Sequence, residues 1–349
     1  MKKNSKSIIR NFILFIALIW LTMWVIFKDQ SVTEILNIIK NIKIQYVIIG
    51  ILCMSIYLLL EGINIRRTLG TLGKKISIKS SFKYSLIGFF FSGITPAASG
   101  GQPMQIYYMN KDGIPVGHST VALLINLTCM QIVTISMGIF SAIVNHKIMN
   151  KTLIIFFVIG ILLNMTALLL LIIAIFSRRV SRWMIILAIK VLKLLKVRNF
   201  RSKKKKIIRE LRKYQSSSAY IKSNMQLIFK NILTTTVQFI LYYSISYCVY
   251  LAFGFSKNNA FEIITMQSLL FAIVSGIPSP GAVGVSEGAF IEIYRNIYPE
   301  AVIKSATLLQ RCINFYLFVI ISGIVVILFT IKTKESNTDD DSNKSEKNK

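Results

Sequence analysis

Long, nearly uncharged apolar runs constrain this chain more than any other feature. Ile8–Phe27, Ile44–Leu60, Ser119–Val144, Thr152–Phe176, Ile232–Phe253 and Cys312–Ile331 are each of spanning length. A hydrocarbon core ~30 Å thick takes roughly 20 apolar residues in a helix. Composition agrees: 54% of the 349 residues are hydrophobic and 16% charged, against about 25% charged in a soluble domain. A soluble enzyme, a secreted disulfide scaffold and a disordered chain are excluded together. Ile8–Phe27 follows Lys2, Lys3 and Lys6 and leads into Lys28-Asp29-Gln30 without a small-x-small cleavage site, so it reads as a retained anchor.

Two further uncharged stretches, Tyr84–Asn110 and Ile263–Ser286, differ in kind, because they hold four of the six prolines and are broken by glycine near their middles. Loop charges decide how they lie. The net charge is +28, and in a multispan protein such an excess marks cytoplasmic loops. Arg178–Lys213 carries fifteen Lys/Arg against Glu210 alone, and Arg66–Lys83 adds six more basic residues. With both loops inside, parity requires Tyr84–Asn110 to begin and end on the cytoplasmic face. The segment from Phe261 to about Glu300 then begins and ends outside. Both read as re-entrant hairpins, tolerated at membrane depth only where buried in protein or lining a wet cavity. Matching positions in two halves point to an inverted repeat with a midplane site. Ser92-Gly93-Ile94-Thr95-Pro96 is echoed by Ser275-Gly276-Ile277-Pro278-Ser279-Pro280. The alternative is two ordinary spans kinked at proline.

The expected fold is therefore an all-α polytopic membrane protein with six full spans and two hairpins. Residues 1–332 form one transmembrane domain, with halves at about 8–176 and 227–331 joined by the basic segment 178–213. Val180–Val197 alternates apolar and basic residues and reads as an interfacial helix on the inner leaflet. Residues 333–349 read as a disordered polar tail, and both termini are expected in the cytoplasm at the cell membrane.

Ionisable groups at membrane depth cost about 2.5–3.5 kcal/mol each on insertion scales. Glu287 follows the breaker run Pro278, Pro280, Gly281 and Gly284. Arg311 opens the last predicted span beside Gln310 and Asn314, and Glu61 precedes Asn64 and Arg66 at the inner end of the second. The functional reading is a polar path for a lipid headgroup, with Arg311 and Arg66 meeting phosphate and Glu287 an amine. Glu292 and Arg295 read as aqueous, and Glu287 at a helix start has a purely structural alternative, capping. Asn126, Gln131 and Gln238 read as interhelical hydrogen-bond glue. Cys53, Cys129, Cys248 and Cys312 are far apart, as are His118 and His146, so no metal or cofactor is expected. No G-x-S-x-G, P-loop, H-E-x-x-H or Rossmann pattern occurs, and no catalytic residue is assigned.

Ile94-Thr95-Pro96-Ala97-Ala98-Ser99-Gly100-Gly101-Gln102-Pro103-Met104-Gln105-Ile106-Tyr107-Tyr108-Met109 with Lys111-Asp112-Gly113, and Pro278-Ser279-Pro280-Gly281-Ala282-Val283-Gly284-Val285-Ser286-Glu287-Gly288 with Arg311 and Tyr316, resemble the two motifs of the lysylphosphatidylglycerol synthase transmembrane family. That is the flippase-like module of the multiple peptide resistance factor, and the resemblance covers about Ile8–Ile331. It implies a translocase for a modified phospholipid or glycolipid, with a role in envelope charge and resistance to cationic antimicrobial peptides. It implies partners in membrane phospholipid, anionic or lysyl-modified, and in a separate lipid synthase, and it is compatible with a homo-oligomer. The family name also implies phosphatidylglycerol lysyltransferase activity from lysyl-tRNA. A soluble acyltransferase domain performs that step in the full factor and is not found in this sequence, so transfer is not the expected activity. A membrane scaffold for the synthase is the third reading.

No DNA partner is expected, and the basic segment argues against tRNA, because its charges are interleaved with few aromatic residues, Trp183, Phe200 and Tyr214 among them. A peptide spanning 178–213 is predicted to bind anionic vesicles with steep salt dependence. Equilibrium binding across a salt series checks this, and preference for tRNA over another polyanion of equal charge would reverse it.

Overall fold

The computed structural model describes residues 42–95, 98–177, 200–277, 282 and 284–329. The predicted span Ile8–Phe27, the predicted interfacial helix Val180–Val197 and the tail lie outside the described residues. Among the described residues ten α-helices run in the order α1 (Ile44–Thr71), α2 (Ile78–Gly93), α3 (Gly101–Lys111), α4 (Val116–Val144), α5 (Lys151–Phe176), α6 (Phe200–Lys222), α7 (Met225–Ala252), α8 (Ala260–Val274), α9 (Val285–Tyr294) and α10 (Glu300–Arg311). α10 continues through a π-helical turn, Cys312–Tyr316, to Phe329. No strand occurs among the described residues. Five of these helices are long and apolar enough to cross a membrane: α1, α4, α5, α7 and the continuous helix Glu300–Phe329. Large apolar side chains face outward along them, as with Ile48 and Leu52 on α1 and Ile155, Leu162 and Leu169 on α5.

The two broken stretches fold as helical hairpins. In the first, α2 packs against α3 so tightly that a Cβ on Gly101 would lie 2.9 Å from the Gly88 carbonyl oxygen. Gln105 of α3 donates from Nε2 to the Tyr84 carbonyl, 3.0 Å away. The mouth is closed by Asp112, which accepts hydrogen bonds from Lys83 Nζ and, at 2.5 Å, from the Tyr84 hydroxyl. In the second hairpin, the Tyr294 hydroxyl of α9 donates to the Ile263 carbonyl of α8 at 3.1 Å.

The hairpins open toward opposite ends of the bundle. Lys83, at the mouth of the first, lies over the Phe329 ring at the end of the last helix. Glu292, near the mouth of the second, accepts from Asn150 before α5 at 3.2 Å. A span, a hairpin and a span (α1, α2–α3, α4) thus recur in reversed direction (α7, α8–α9, α10). α1 and α7 form the most extensive helix pair, with the Lys43 N–H donating to the Ala252 carbonyl at one end and Arg67 to the Lys230 carbonyl near the other. The tips carry a second echo that sequence reading missed. Ala98 (φ +52°) and Ala282 (φ +54°) are left-handed non-glycine residues, each three positions before its return helix in the step Ala-x-Gly. Such conformations cost of order 1–3 kcal/mol each and persist where the surroundings enforce them.

Three expectations need correction. Arg311 does not begin the last span. That helix starts at Glu300, because Glu300–Arg311 is amphipathic and its polar residues Thr307, Gln310 and Arg311 are buried within the bundle. A hydropathy window misses such a segment. Asn126 and Gln238 are not interhelical glue: Asn126 Nδ2 reaches Met130 within its own helix, and neither polar atom of Gln238 has a partner. Asn64 with Thr235, Asn231 with Thr68, and Arg67 with Asn231 and Thr234 serve between α1 and α7 instead.

The basic linker also continues further than read, as α6, and is fastened across α4 and α5. Glu210 accepts from the Gly117 N–H at 3.1 Å and lies 3.2 Å from Lys213 Nζ, and the Tyr214 hydroxyl donates to the Ala174 carbonyl at 2.6 Å. Partial burial works to raise the Glu210 pKa, but the Gly117 donor and the Lys213 ammonium outweigh it and hold it below the ordinary value. The stability this contributes is present above the unfolded pKa and lost as pH falls through the folded one.

The hairpin geometry fixes an accessibility pattern. Single cysteines replacing Ser80 and Lys111 in a cysteine-free background should label from one and the same side of a sealed membrane, the side carrying α6. An impermeant thiol reagent applied to each face in turn checks this; labelling of the two from opposite faces would break the hairpin assignment.

Candidate functional site

The second hairpin and the last helix meet at an ion pair. Gly284 (φ +85°) turns the chain into α9, a conformation that favours glycine. Three residues on, the Glu287 carboxylate reaches back, and Oε2 accepts from the Gly284 N–H at 2.6 Å. Its other oxygen, Oε1, accepts from Arg311 Nε at 2.8 Å. The two residues are 4% and 5% exposed, so each charge is balanced by the other and not by water. The Arg311 guanidinium also lies over the Phe315 ring, 4.5 Å from its centre. Glu287 thus makes the capping contact read from the sequence as its structural alternative, and the cation it meets is Arg311, which the sequence reading had given to phosphate.

Beside this pair is a cavity of ≈ 240 Å³. Arg311 lines it together with Gln310 and Asn314 from the last helix, Ser275 and Ser286 from the second hairpin, and Gln267 from α8. Phe89 of the first hairpin and Tyr242 of α7 complete the wall with Phe271, Phe290 and Phe315. The first hairpin reaches it because Gly93 lets its tip approach the π-helical turn, where a Cβ would lie 3.3 Å from the Phe315 ring. Single-turn π segments frequently occur at functional sites.

Buried polar groups around the cavity form a relay. Ser246 Oγ donates to Gln267 Oε1 at 2.8 Å, and Gln310 Nε2 donates to Ser246 Oγ at 2.9 Å. Gln310 Oε1 and Asn314 Oδ1 are buried without a hydrogen-bond partner. Buried polar atoms are ordinarily paired, so such exceptions call for an explanation.

The other residues read from the sequence fall elsewhere. Glu61 is half-buried on α1 and faces Gln105 of the first hairpin, whose Nε2 lies 3.4 Å away. Arg66 is exposed, and its Nε donates to the Ile76 carbonyl at 2.9 Å, pinning the loop before α2. Neither lines the cavity. Gly100 donates its N–H to Thr95 Oγ1 at 2.9 Å, Gly101 is the close-packing point of the first hairpin, and Gln102 is half-buried beside it. Pro96, Pro278, Pro280 and Gly281 lie outside the described residues. Glu292 and Arg295 pair with each other at 3.3 Å on the surface, as read. The aromatic wall escaped sequence reading because Phe and Tyr are abundant in every span, and only the fold selects these five. Among the described residues no group of three or more His, Cys, Asp or Glu is placed to hold a metal ion.

Two comparisons bear on this arrangement. The model of the family described as "Lysylphosphatidylglycerol synthase TM region" matches residues 9–322. A UPF0104 membrane protein of Archaeoglobus fulgidus is 25% identical over 319 residues, covering 89% of this chain and 94% of that protein. With its apolar spanning helices and a match over nearly its whole length, the chain is a multi-pass membrane protein and belongs to the lysylphosphatidylglycerol synthase transmembrane-region family.

Proposed function

We propose that this protein is a lipid translocase, moving a modified phospholipid or a glycolipid between leaflets with its headgroup passing through the cavity between the hairpins. The observation that carries the reading is the position of a polar cavity, holding a buried Glu287–Arg311 pair, where two oppositely opening hairpins approach each other. A transporter needs a headgroup site reachable from either end in turn, and paired discontinuous helices are the usual way to build one. The cavity is sized for a headgroup, leaving the acyl chains outside along the apolar faces of the spans. The partners are membrane lipid and, by this reading, the enzyme that modifies it.

The ion pair shapes the test. Removing one partner of a buried pair leaves an uncompensated charge and costs about 3–5 kcal/mol, whereas replacing both is often neutral. Glu287→Gln alone should therefore lower abundance and melting temperature. The double variant Glu287→Gln with Arg311→Gln should fold and insert normally but lose at least tenfold in the rate of lipid exchange between leaflets. Melting temperature and dithionite quenching of labelled lipids in proteoliposomes check the two parts. Exchange at the wild-type rate in the folded double variant would overturn the reading.

A further inference from the structure

The polar groups around the cavity discriminate among headgroups. Charge comes first. Among the described residues Arg311 is the one formally charged residue in the wall, and Glu287 balances it at 2.8 Å. Both Glu287 oxygens are engaged, one by Arg311 and one by the Gly284 N–H. A lysyl ammonium entering here would meet a guanidinium and no unengaged carboxylate. A phosphate would have to compete with Glu287 for Arg311, and it would face a carbonyl acceptor on the neighbouring residue.

In the structure the relay presents that acceptor. Ser246 spends its hydroxyl proton on Gln267, so it can only accept from Gln310, which must present Nε2 to it. Gln310 Oε1 is then left as an unpartnered acceptor on a residue 2% exposed, at the cavity wall. Asn314 Oδ1 is a second such acceptor one turn further along the helix. The group that satisfies them carries N–H or O–H donors. Hydroxyls suit the site better than ammonium, because they can also accept from Ser286 and bring no charge, whereas the Ser275 hydroxyl already donates to Asn164 Oδ1 at 3.2 Å. The aromatic wall provides negative ring faces for the weakly positive C–H faces of a sugar ring. The cavity, ≈ 240 Å³, admits one hydroxylated ring.

Resting on the translocase reading for the lipid itself, we infer that the cavity selects an uncharged, hydroxyl-rich headgroup, a glycosyl unit on a lipid, over an aminoacylated or bare phosphate headgroup.

The full chain, purified in a detergent without a sugar headgroup, is titrated with glucosyl-diacylglycerol, lysyl-phosphatidylglycerol and phosphatidylglycerol of matched acyl chains, following melting temperature. Labelled versions of the three are followed for movement in proteoliposomes. Glucosyl-diacylglycerol should stabilise the protein at concentrations at least tenfold below the other two, and Gln310→Met should erase about tenfold of that preference, the worth of one buried hydrogen bond. Should Gln310→Met fail to fold, the order of the three lipids on the unmodified protein decides alone. Tighter binding of lysyl-phosphatidylglycerol, or equal binding of all three, overturns this inference even if lipids move. Preferred binding of the glycolipid without movement of any lipid upholds it and overturns the translocase reading instead.

Discussion

Taking a carboxylate and a guanidinium out of water costs several kcal/mol for each ion, repaid only when geometry is good and the remaining polar atoms are bonded. Glu287 and Arg311 meet that condition by combining three elements. Arg311 comes from the middle of the last helix, Glu287 from the first turn of a hairpin's return helix, and the Gly284 N–H from the bend before it. None of the three is stable at that depth alone. The pair therefore holds the second hairpin against the last helix and explains why a chain break is tolerated there. Non-helical backbone survives in a membrane protein only where protein covers it or water fills a cavity beside it.

The first hairpin is held without a buried charge. Its helices approach through Gly88 and Gly101, close enough that no Cβ fits at Gly101 without displacing the Gly88 carbonyl. Small residues that allow such approach replace the hydrophobic effect as the source of helix association in lipid. Gly160 plays the same part between α5 and α8, where a Cβ would lie 2.6 Å from the Ala272 carbonyl oxygen. Close packing through glycine thus serves both halves, and the second adds a buried ion pair, over the same sequence of span, hairpin and span.

Much of this arrangement was legible in the sequence. Hydropathy marked the spans, and proline with glycine marked the two breaks. Loop charge with parity turned the breaks into hairpins, and the structure forms them opening to opposite ends. Glu287 and Arg311 stood out because ionisable groups in apolar blocks are costly, but nothing in their 24-residue separation says that they touch. The start of the last helix was missed since Glu300–Arg311 is only half apolar, and a hydropathy window averages its buried polar face with its apolar one. The assignment of Asn126 and Gln238 as glue failed for a related reason. Residue type predicts that a buried amide needs a partner, whereas only packing decides which amides find one, and Asn64 and Asn231 did.

The matched Ala-x-Gly steps at the two tips expose a chemical difference between the halves. Aligning Ala98 with Ala282 and Gly100 with Gly284 puts Pro103 where the second hairpin has Glu287. A proline at that position cannot reach back with a carboxylate to fasten the bend, and it brings no charge toward a neighbouring helix. The two tips share a left-handed alanine but part at the glycine, where Gly100 has φ −85° and Gly284 φ +85°, and they differ in electrostatics, one fastened by a buried ion pair and the other carrying a proline. Two copies of one frame are in this way made chemically distinct at their tips.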